Sequence, residues 1–386
     1  MLNGEWAPRP SANLSDEDRR RQWAPDARLA WRNPQWCVED QADPTITEPD
    51  DIIVRVRAVG LANSNIRMGN IDDEGYVVLP YSLHLPLIPG HEIAGEVVET
   101  GSAVTTVRPG DPVCVEALRA CLHCSSCLRG LFNQCLHTEF TGLTINGGMA
   151  QYLVTKARQV RPIGAMRARF DEQAMYEVAT LAEPAAVAYN GMFVRAGGFQ
   201  PGLTTVAVFG CGPIGLAAVA LARCSGAIKI IAFDIDDHRC QLARKLGADE
   251  AYNSRTLLDA GGRPGQQVME LTHGKGADFI VEAAGDHHAT APEIEACLAT
   301  WGKVVYLGVE GRGNPSHLLA YQRKAAATFA MMGHIGGYDP IIALHANGRM
   351  DLSPLIDRRY PMEQAVEAIA RLRTRQDAKV LILPHE

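Results

Sequence analysis

The sequence has no excess of basic residues, no long hydrophobic run and no internal repeat. Lys and Arg number 37 against 44 Asp and Glu, and the net charge of −7 does not favour nucleic acid or an anionic membrane as a partner. The longest apolar stretch, residues 206–222, is too short and too interrupted by Gly and Pro for a transmembrane helix. The first residues show no apolar run followed by a cleavage site, so no secretory signal is expected.

The cysteines lack the distribution of a disulfide framework. Four of the ten lie within residues 121–135, and the other six are scattered singly at positions 37, 114, 211, 224, 240 and 297. Single buried thiols are typical of proteins in a reducing compartment. We therefore expect a cytoplasmic protein.

The chain is long enough for two domains, and its sequence pattern changes near residue 183. It has 386 residues, about twice the usual domain size. From residue 51, short runs of alternating apolar and polar residues predict a mostly antiparallel β domain. After residue 183, strand-like runs alternate with helical stretches, which predicts βαβ units and a doubly wound parallel sheet. Residues 1–45 show little periodicity and are interpreted as an extension on the surface of a domain.

A glycine-rich motif indicates a dinucleotide site. The G-x-G-x-x-G segment follows a predicted strand and opens a predicted helix, which is the context that this motif needs. A bare glycine turn without a ligand is the alternative. The predicted cofactor contacts in this segment are Gly210, Gly212, Pro213, Ile214 and Gly215.

The next strand ends at Asp234, 19 residues after Gly215. A carboxylate there accepts hydrogen bonds from ribose hydroxyls and repels a 2′-phosphate, so the sequence favours NAD over NADP. Arg239 lies close enough in the sequence to complicate this preference, or to pack beside the adenine.

The four clustered cysteines have the spacing of a metal site. Cys121, Cys124, Cys127 and Cys135 match a tetrahedral zinc site with four thiolates. Such a site has no open position for water or substrate, so the predicted role is structural, with one zinc per chain. An iron–sulfur cluster and a set of simple buried thiols are the alternatives.

The order of these features resembles the medium-chain, zinc-containing alcohol and polyol dehydrogenases. A β domain, a four-cysteine lobe and a dinucleotide sheet follow one another, with Gly90-His91-Glu92, Gly110-Asp111 and Glu183-Pro184 as further matches. The N-terminal segments W-A-P-R-P and W-R-N-P resemble the scyllo-inosose (cyclitol) dehydrogenase branch.

The resemblance implies two domains. One is a GroES-like catalytic domain over residues 1–186 and 334–386, with a zinc lobe at about 119–137. The other is a Rossmann NAD-binding domain over residues 187–333. The resemblance also implies backbone contacts from Leu307 and Val309 to the nicotinamide amide.

In this family a second, catalytic zinc binds the alcohol oxygen. The resemblance implies that a Cys, the His of G-H-E and a Glu hold that metal. His91, Glu92 and Glu183 match these ligands, but Ala62 stands where the Cys is expected. A zinc held weakly by the three remaining side chains is one interpretation, and the absence of a normal catalytic zinc is the one we favour.

Two neighbouring positions also differ from the family pattern. Asn65 stands where an Asp orients the ligand His, and Arg67 stands where a His often ends the proton relay. Ser64 matches the relay hydroxyl. Without a metal, a general base and a hydrogen-bond donor must handle the alcohol proton. The candidate catalytic residues are Asn63, Ser64, Arg67, His91, Glu92 and Glu183.

Three functions are consistent with this sequence. The first is an NAD-dependent dehydrogenase that moves a hydride to or from a polyol, cyclitol or sugar-like secondary alcohol. The second is a redox-neutral epimerase or isomerase that retains NAD, and the third is a non-catalytic NAD-binding protein. The expected partner is a small-molecule polyol, and the family resemblance implies a homo-oligomer, a dimer or a tetramer.

Overall fold

The computed structural model describes residues 1–309 and 318–385, which form two compact units. Unit 1 contains residues 1–183 and 356–386, and unit 2 contains residues 184–355.

The strands and helices alternate irregularly in the first half of the chain and regularly in the second. The strands are β1 (Leu2–Trp6), β2 (Trp31–Trp36), β3 (Asp51–Gly60), β4 (Glu92–Thr100), β5 (Pro112–Val115), β6 (Leu118–Arg119), β7 (Glu139–Phe140), β8 (Tyr152–Lys156), β9 (Val160–Pro162), β10 (Thr205–Phe209), β11 (Lys229–Asp234), β12 (Glu250–Asn253), β13 (Ala277–Glu282), β14 (Leu298–Tyr306), β15 (Ala327–Ala330), β16 (Ile356–Pro361) and β17 (Lys379–Leu383). The helices are α1 (Asp16–Arg20), α2 (Asn63–Gly69), α3 (Glu172–Thr180), α4 (Ala182–Tyr189), α5 (Pro213–Cys224), α6 (Asp237–Lys245), α7 (Ser254–Asp259), α8 (Pro264–Leu271), α9 (His287–Cys297), α10 (Leu318–Lys324), α11 (Tyr338–Ala346) and α12 (Ala365–Arg373). No helix in the described residues combines the length and the apolar character needed to cross a membrane.

Unit 1 is built on a mostly antiparallel sheet. Its strands run in the order β16-β17-β3-β4-β5-β9, and β8 also pairs with β3. Only the β16–β17 pair in this sheet is parallel among the described residues. Alternating side chains of β3 and β4, such as Val54, Val56 and Ile93, are buried in a common core with α12. The C-terminal strand β17 therefore lies inside this sheet, next to β3.

The N-terminal region, expected to be an extension on the surface of a domain, also contributes buried residues to unit 1. Strands β1 and β2 pair with each other, and Leu2 and Trp31 are fully buried. They pack with Leu79 and Leu83 in a separate apolar cluster. The Trp31 indole donates a hydrogen bond to the Leu83 carbonyl at 2.6 Å. The polar, Pro-rich composition of residues 1–45 did not indicate this core, because only a few residues of the region are buried in it.

Unit 2 contains the predicted doubly wound sheet. Six strands of the described residues run in the order β12-β11-β10-β13-β14-β15, and each pair is parallel. The order of the strands reverses at β10, because β11 lies on one side of it and β13 on the other. Ligands of such sheets bind at this switch point, beyond the carboxyl ends of the strands.

The boundary between unit 2 and the second segment of unit 1 lies later than residue 334. Residues 334–355, including α11, belong to unit 2. The Asn190 side chain donates to the carbonyl of Ile335 at 3.1 Å, and a Cβ on Gly337 would collide with Ala186. These contacts inside unit 2 keep the segment there until β16 begins.

Candidate active site

The four predicted zinc ligands meet in one small lobe of unit 1. The sulfur atoms of Cys121, Cys124, Cys127 and Cys135 all lie within 4.8 Å of one another. Two of the S–S distances, Cys121–Cys127 and Cys124–Cys135, are 4.0 and 3.9 Å. A zinc–sulfur bond of about 2.3 Å gives a tetrahedron with edges of roughly 3.8 Å. The geometry of the cluster therefore fits a zinc ion.

Backbone N–H groups favour the thiolate form of Cys124, whereas burial raises the pKa of Cys127 to about 12. The N–H of Cys121 donates to the Cys135 sulfur at 3.2 Å, and the N–H of Leu136 donates to the Cys124 sulfur at 3.5 Å. Backbone N–H donors, first that of Cys127, lower the pKa of Cys124 to about 6. The backbone N–H groups of these short turns thus donate hydrogen bonds to sulfur atoms that the sequence spacing predicts as zinc ligands.

The glycines of the dinucleotide motif occupy a tight turn between β10 and α5. Gly210 has φ +93°, and a Cβ there would lie 2.4 Å from the Ala284 nitrogen. A Cβ on Gly215 would lie 1.8 Å from the Gly210 oxygen. No atom of the described residues would lie within 4 Å of a Cβ on Gly212. The turn is closed on the protein side and open at Gly212, which fits the pyrophosphate of a dinucleotide.

The other predicted cofactor residues surround the same edge of the parallel sheet. Pro213 and Ile214 begin α5, Arg239 lies in the first turn of α6, and Leu307 follows β14. The Leu307 N–H donates to the carbonyl of Glu282 at 2.8 Å. Backbone atoms of Val309 lie 3.2 Å from the position of a Cβ on Gly285. The fold thus brings these residues to the carboxyl ends of neighbouring strands.

Asp234 ends β11 and is buried. Its carboxylate accepts from the N–H of Cys211 at 2.6 Å and from those of Ile235 and Asp236 at 2.8 and 3.1 Å. Asp234 therefore holds the glycine turn in shape, a role that the sequence did not indicate.

A second group of possible metal ligands lies in unit 1. Atoms of His91, Glu92 and Glu183 lie within 4.8 Å of one another, and all three side chains are buried. Glu92 begins β4 opposite Gly60 of β3, and a Cβ on Gly60 would lie 2.0 Å from a Glu92 oxygen. Glycine at position 60 therefore leaves room for the Glu92 carboxylate. Glu183 is contributed by the first turn of α4.

A lysine that the sequence reasoning missed is bonded to this group. Lys379, the first residue of β17, is 0% exposed. Its ammonium donates to the two oxygens of Glu92 at 2.5 and 2.7 Å and to the carbonyl of Leu61 at 3.1 Å. A charged residue at the start of the apolar strand K-V-L-I-L was the available signal, since a buried lysine needs a partner.

These contacts decide how well the group fits the catalytic zinc of the family. Ala62 offers no ligand atom, and both oxygens of Glu92 accept from Lys379. The ammonium opposes a cation at Glu92, although a carboxylate keeps lone pairs for a metal, and position 62 supplies no ligand. The described residues therefore lack the cysteine of the family's catalytic zinc site, although the distances within the group would allow an ion.

Burial changes the protonation of this group. It lowers the pKa of His91 to about 3, with a further contribution from Lys379, so the imidazole is neutral. Burial, followed by the charge of Glu92, raises the pKa of Glu183 to about 8, while Lys379 acts in the opposite direction. Burial also raises the pKa of Glu92, and Lys379 opposes that shift. Near neutral pH, Glu183 therefore holds a proton.

The short helix α2 carries the remaining predicted residues. The Ser64 hydroxyl and the Nδ1 atom of His91 are buried without a hydrogen-bond partner among the described residues. Asn65 accepts from the N–H of Ala62 at 2.8 Å, so its side chain holds the start of the helix. Asn63 is exposed, and the structure does not bring it to the buried group. Unpaired buried polar atoms are positions where a ligand or water is expected.

Tyr81 is a further residue that the sequence reasoning missed. Burial raises the pKa of its phenol, and the smaller effects of Arg67 and Glu183 oppose each other. Arg67 and Glu183 thus both lie within electrostatic reach of the Tyr81 ring. The backbone of Tyr81 is held by the N–H of Ala27 at 2.8 Å, which ties it to the N-terminal region. No short motif marks this tyrosine.

Two family models match the chain. Residues 48–165 match the alcohol dehydrogenase GroES-like domain, and residues 213–344 match the zinc-binding dehydrogenase family. These ranges fall in unit 1 and unit 2 respectively.

Similar proteins extend over almost the whole chain. A scyllo-inosose 3-dehydrogenase from Thermotoga maritima is 32% identical over 97% of this chain and 96% of the relative. A sorbitol dehydrogenase from Bacillus subtilis is 29% identical, over 87% of this chain and 91% of the relative.

Solved structures share the fold. One assigned as an alcohol dehydrogenase from Thermotoga maritima has a TM-score of 0.93 and 31% identity, and covers 99% of this chain and 98% of that one. A zinc-binding dehydrogenase from Sinorhizobium meliloti, bound to NADP, has a TM-score of 0.77 at 23% identity, covers 93% of this chain and 97% of that one, and shows the fold alone. The chain is therefore a member of the medium-chain, zinc-containing alcohol and polyol dehydrogenase family, and an oxidoreductase.

Proposed function

We propose that the protein is an NAD-dependent dehydrogenase of a cyclitol or a related polyol, and that it works without a catalytic zinc. The observation that carries the proposal is the buried group of His91, Glu92 and Glu183, in which a lysine ammonium bonds the carboxylate of Glu92. The scyllo-inosose 3-dehydrogenase of Thermotoga maritima, similar over 97% of this chain, supports the substrate class.

The cofactor preference rests on Asp234. A buried carboxylate at the end of β11 repels the 2′-phosphate of NADP, and it can accept from a ribose hydroxyl of NAD. Arg239 in the following helix is the one residue of the predicted set that would favour NADP. We therefore expect NAD to be used in preference to NADP, although the Sinorhizobium meliloti dehydrogenase was solved with NADP.

The proton chemistry is assigned to unit 1. A bound nicotinamide would accept the hydride of the carbinol C–H bond, and the glycine turn at Gly210 and Gly212 with the backbone of Leu307 would hold that cofactor. The hydroxyl proton passes to the carboxylate of Glu183, and the substrate leaves as a ketone. Ser64 donates a hydrogen bond to the substrate oxygen, and Arg67 stabilises the negative charge that develops on that oxygen.

Steady-state production of NADH tests the proposal. The protein is supplied with NAD and a panel of inositols, sorbitol and threonine, and with NADH and scyllo-inosose for the reverse direction. We expect turnover with a cyclitol, much weaker turnover with NADP, and none with threonine. Binding of NAD by calorimetry with no turnover across the panel would contradict a dehydrogenase.

A redox-neutral epimerase is the second candidate, because Glu183 retains a proton near neutral pH beside the neutral His91. Such an enzyme would convert one cyclitol isomer into another with bound NAD and no accumulation of NADH. Incorporation of solvent deuterium into an isomerised product, followed by mass spectrometry, would favour this candidate over the dehydrogenase.

A further inference from the structure

A small cavity of unit 1 is lined by cationic side chains. Its volume is about 210 Å³, and the residues around it are Arg55, Arg57, Gln173, Leu383 and His385. A water molecule takes up about 30 Å³ of the liquid, so the cavity has room for an ion of several atoms. We call this cavity the arginine pocket. None of its residues belongs to the buried group of the candidate active site.

Regular structure holds the cationic side chains in place. Arg55 and Arg57 lie two residues apart on β3, so their side chains leave the same face of the strand. Arg55 pairs with Tyr152 of β8, and the His385 ring packs edge-on against the Tyr152 ring, with 5.8 Å between the centroids. A ring nitrogen of His385 lies 3.2 Å from the carbonyl oxygen of Gln151. The histidine is therefore fixed against β8, next to the strand that carries the two arginines.

The two arginines have few anionic partners among the described residues. Arg55 forms no ion pair there, and its buried Nε–H has no hydrogen-bond acceptor. Arg57 has a long contact to Glu96, at 3.9 Å, and its guanidinium lies 5.2 Å from the centre of the Tyr176 ring. A buried N–H without an acceptor is a position where a ligand or water is expected.

Two acidic side chains lie beside the pocket, and neither fills it. Glu177 accepts from Arg359 at 2.7 Å and from Gln173 at 3.2 Å, so its charge is already balanced by an arginine outside the pocket. Glu96 is partly exposed and offsets Arg57 through the long contact described above. The charge of Arg55 thus has no carboxylate partner in the part of the chain that the structure describes.

The histidine responds to this positive charge. Burial lowers the pKa of His385, and the charges of Arg55 and Arg57 lower it further, while the contact with the Gln151 carbonyl acts in the opposite direction. Both arginines therefore lie within electrostatic reach of the ring. Three groups that can carry positive charge converge on one cavity, and an anion there would relieve their mutual repulsion.

We propose that the arginine pocket binds a small oxyanion of the phosphate class, either inorganic phosphate or the phosphate group of a small ester. A guanidinium presents planar pairs of N–H donors that match the oxygens of such an anion, and the pocket has two of them. His385 supplies a further ring at the exposed side of the pocket. The site is separate from the glycine turn of the dinucleotide motif and does not depend on the proposed function.

Calorimetric titration with inorganic phosphate tests the site, with NAD present so that phosphate does not enter the glycine turn. We expect the wild type to bind phosphate and Arg55→Gln to bind it about tenfold more weakly or worse, because charge-assisted hydrogen bonds are lost. Arg20→Gln, an equal change of charge at the exposed end of α1, is the matched control and should bind like the wild type. A wild type that does not bind phosphate, or equal affinities of the wild type and Arg55→Gln, would overturn the proposal.

A second variant keeps the proposal testable if Arg55→Gln does not fold. Glu96→Gln removes the carboxylate that competes for Arg57, so the affinity for phosphate should rise by roughly twofold or more. An affinity that stays the same or falls would count against the pocket as the binding site.

The same titration with glucose 6-phosphate distinguishes the two sources of the anion. Binding tighter than that of inorganic phosphate assigns the pocket to a phosphorylated metabolite, and weaker binding assigns it to the free ion. Because these titrations require no turnover, and the comparison of the wild type with Arg55→Gln does not depend on NAD, their outcome is separate from that of the NADH assay.

Discussion

The described residues of unit 1 include two groups of potential metal ligands, and the groups differ in what else bonds to the ligand atoms. In the four-cysteine lobe, the neighbours of the sulfur atoms are backbone N–H groups, which stabilise thiolates without occupying the metal position. In the group of His91, Glu92 and Glu183, an ammonium bonds one of the three ligands directly. Both groups satisfy the same distance limit of 4.8 Å.

The difference shows that closeness of ligand residues does not by itself define a metal site. The charge of the group and the availability of each ligand atom also determine whether a metal binds. A zinc in the cysteine lobe neutralises thiolate charge, whereas the carboxylate of Glu92 is already paired with the ammonium of Lys379.

Removal of one thiolate should have the largest effect. We expect Cys127→Ser to lose the zinc and more than about 2 kcal/mol of stability, because the metal holds a lobe with little core of its own. Zinc analysis and thermal unfolding measure both changes. Cys37→Ser, which removes a thiol outside the lobe, is the control and should keep the zinc. A folded Cys127→Ser protein with full zinc content would show that the ion lies elsewhere.

Replacement of the proposed proton acceptor should have the next largest effect. Glu183→Gln keeps the size of the side chain and removes its acid–base function, so kcat should fall by about 10²–10⁴-fold. The affinity for NAD, measured by calorimetry, should not change. Glu172→Gln, at the exposed start of α3, serves as the control. An unchanged kcat would assign the proton transfer to another group.

Restoring the missing thiolate should convert the second group into a metal site. In Ala62→Cys, the new sulfur joins His91 and Glu183 as a third ligand, and the zinc affinity of the group should rise by about tenfold or more. Ala62→Ser is the matched control, since it adds a side-chain oxygen of similar size without a thiolate. Equal zinc contents of the two variants would mean that the loss of the cysteine does not explain the difference between the groups.

The pH dependence should show the smallest effect and still identify Glu183. The raised pKa of about 8 means that the carboxylate form increases as pH rises, so alcohol oxidation should become about tenfold faster between roughly pH 7 and 9. Ketone reduction needs the protonated form and should slow over the same range. Folding stability should also fall as pH rises towards 8, because the folded state favours the proton. In Glu183→Gln the pH dependence of the two reaction rates should be absent; if it persists, another group titrates.

Local patterns in the sequence predicted the fold class and the two sites whose residues are close in the chain. The glycine motif and the four cysteines each span a short segment, so the spacing of the residues in the sequence is enough to predict their geometry. The pair of Lys379 and Glu92 joins residues 287 positions apart, and no local pattern connects them. Tyr81 and the buried Trp31 were not predicted for the same reason, because tertiary packing rather than periodicity determines their surroundings.

Anomalous scattering at the zinc absorption edge, from crystals of the wild-type protein grown with zinc and NAD, tests the central claim most directly. The account predicts one anomalous peak per chain, surrounded by the sulfur atoms of the four-cysteine lobe. A second peak at bonding distance from His91 and Glu183 would contradict it.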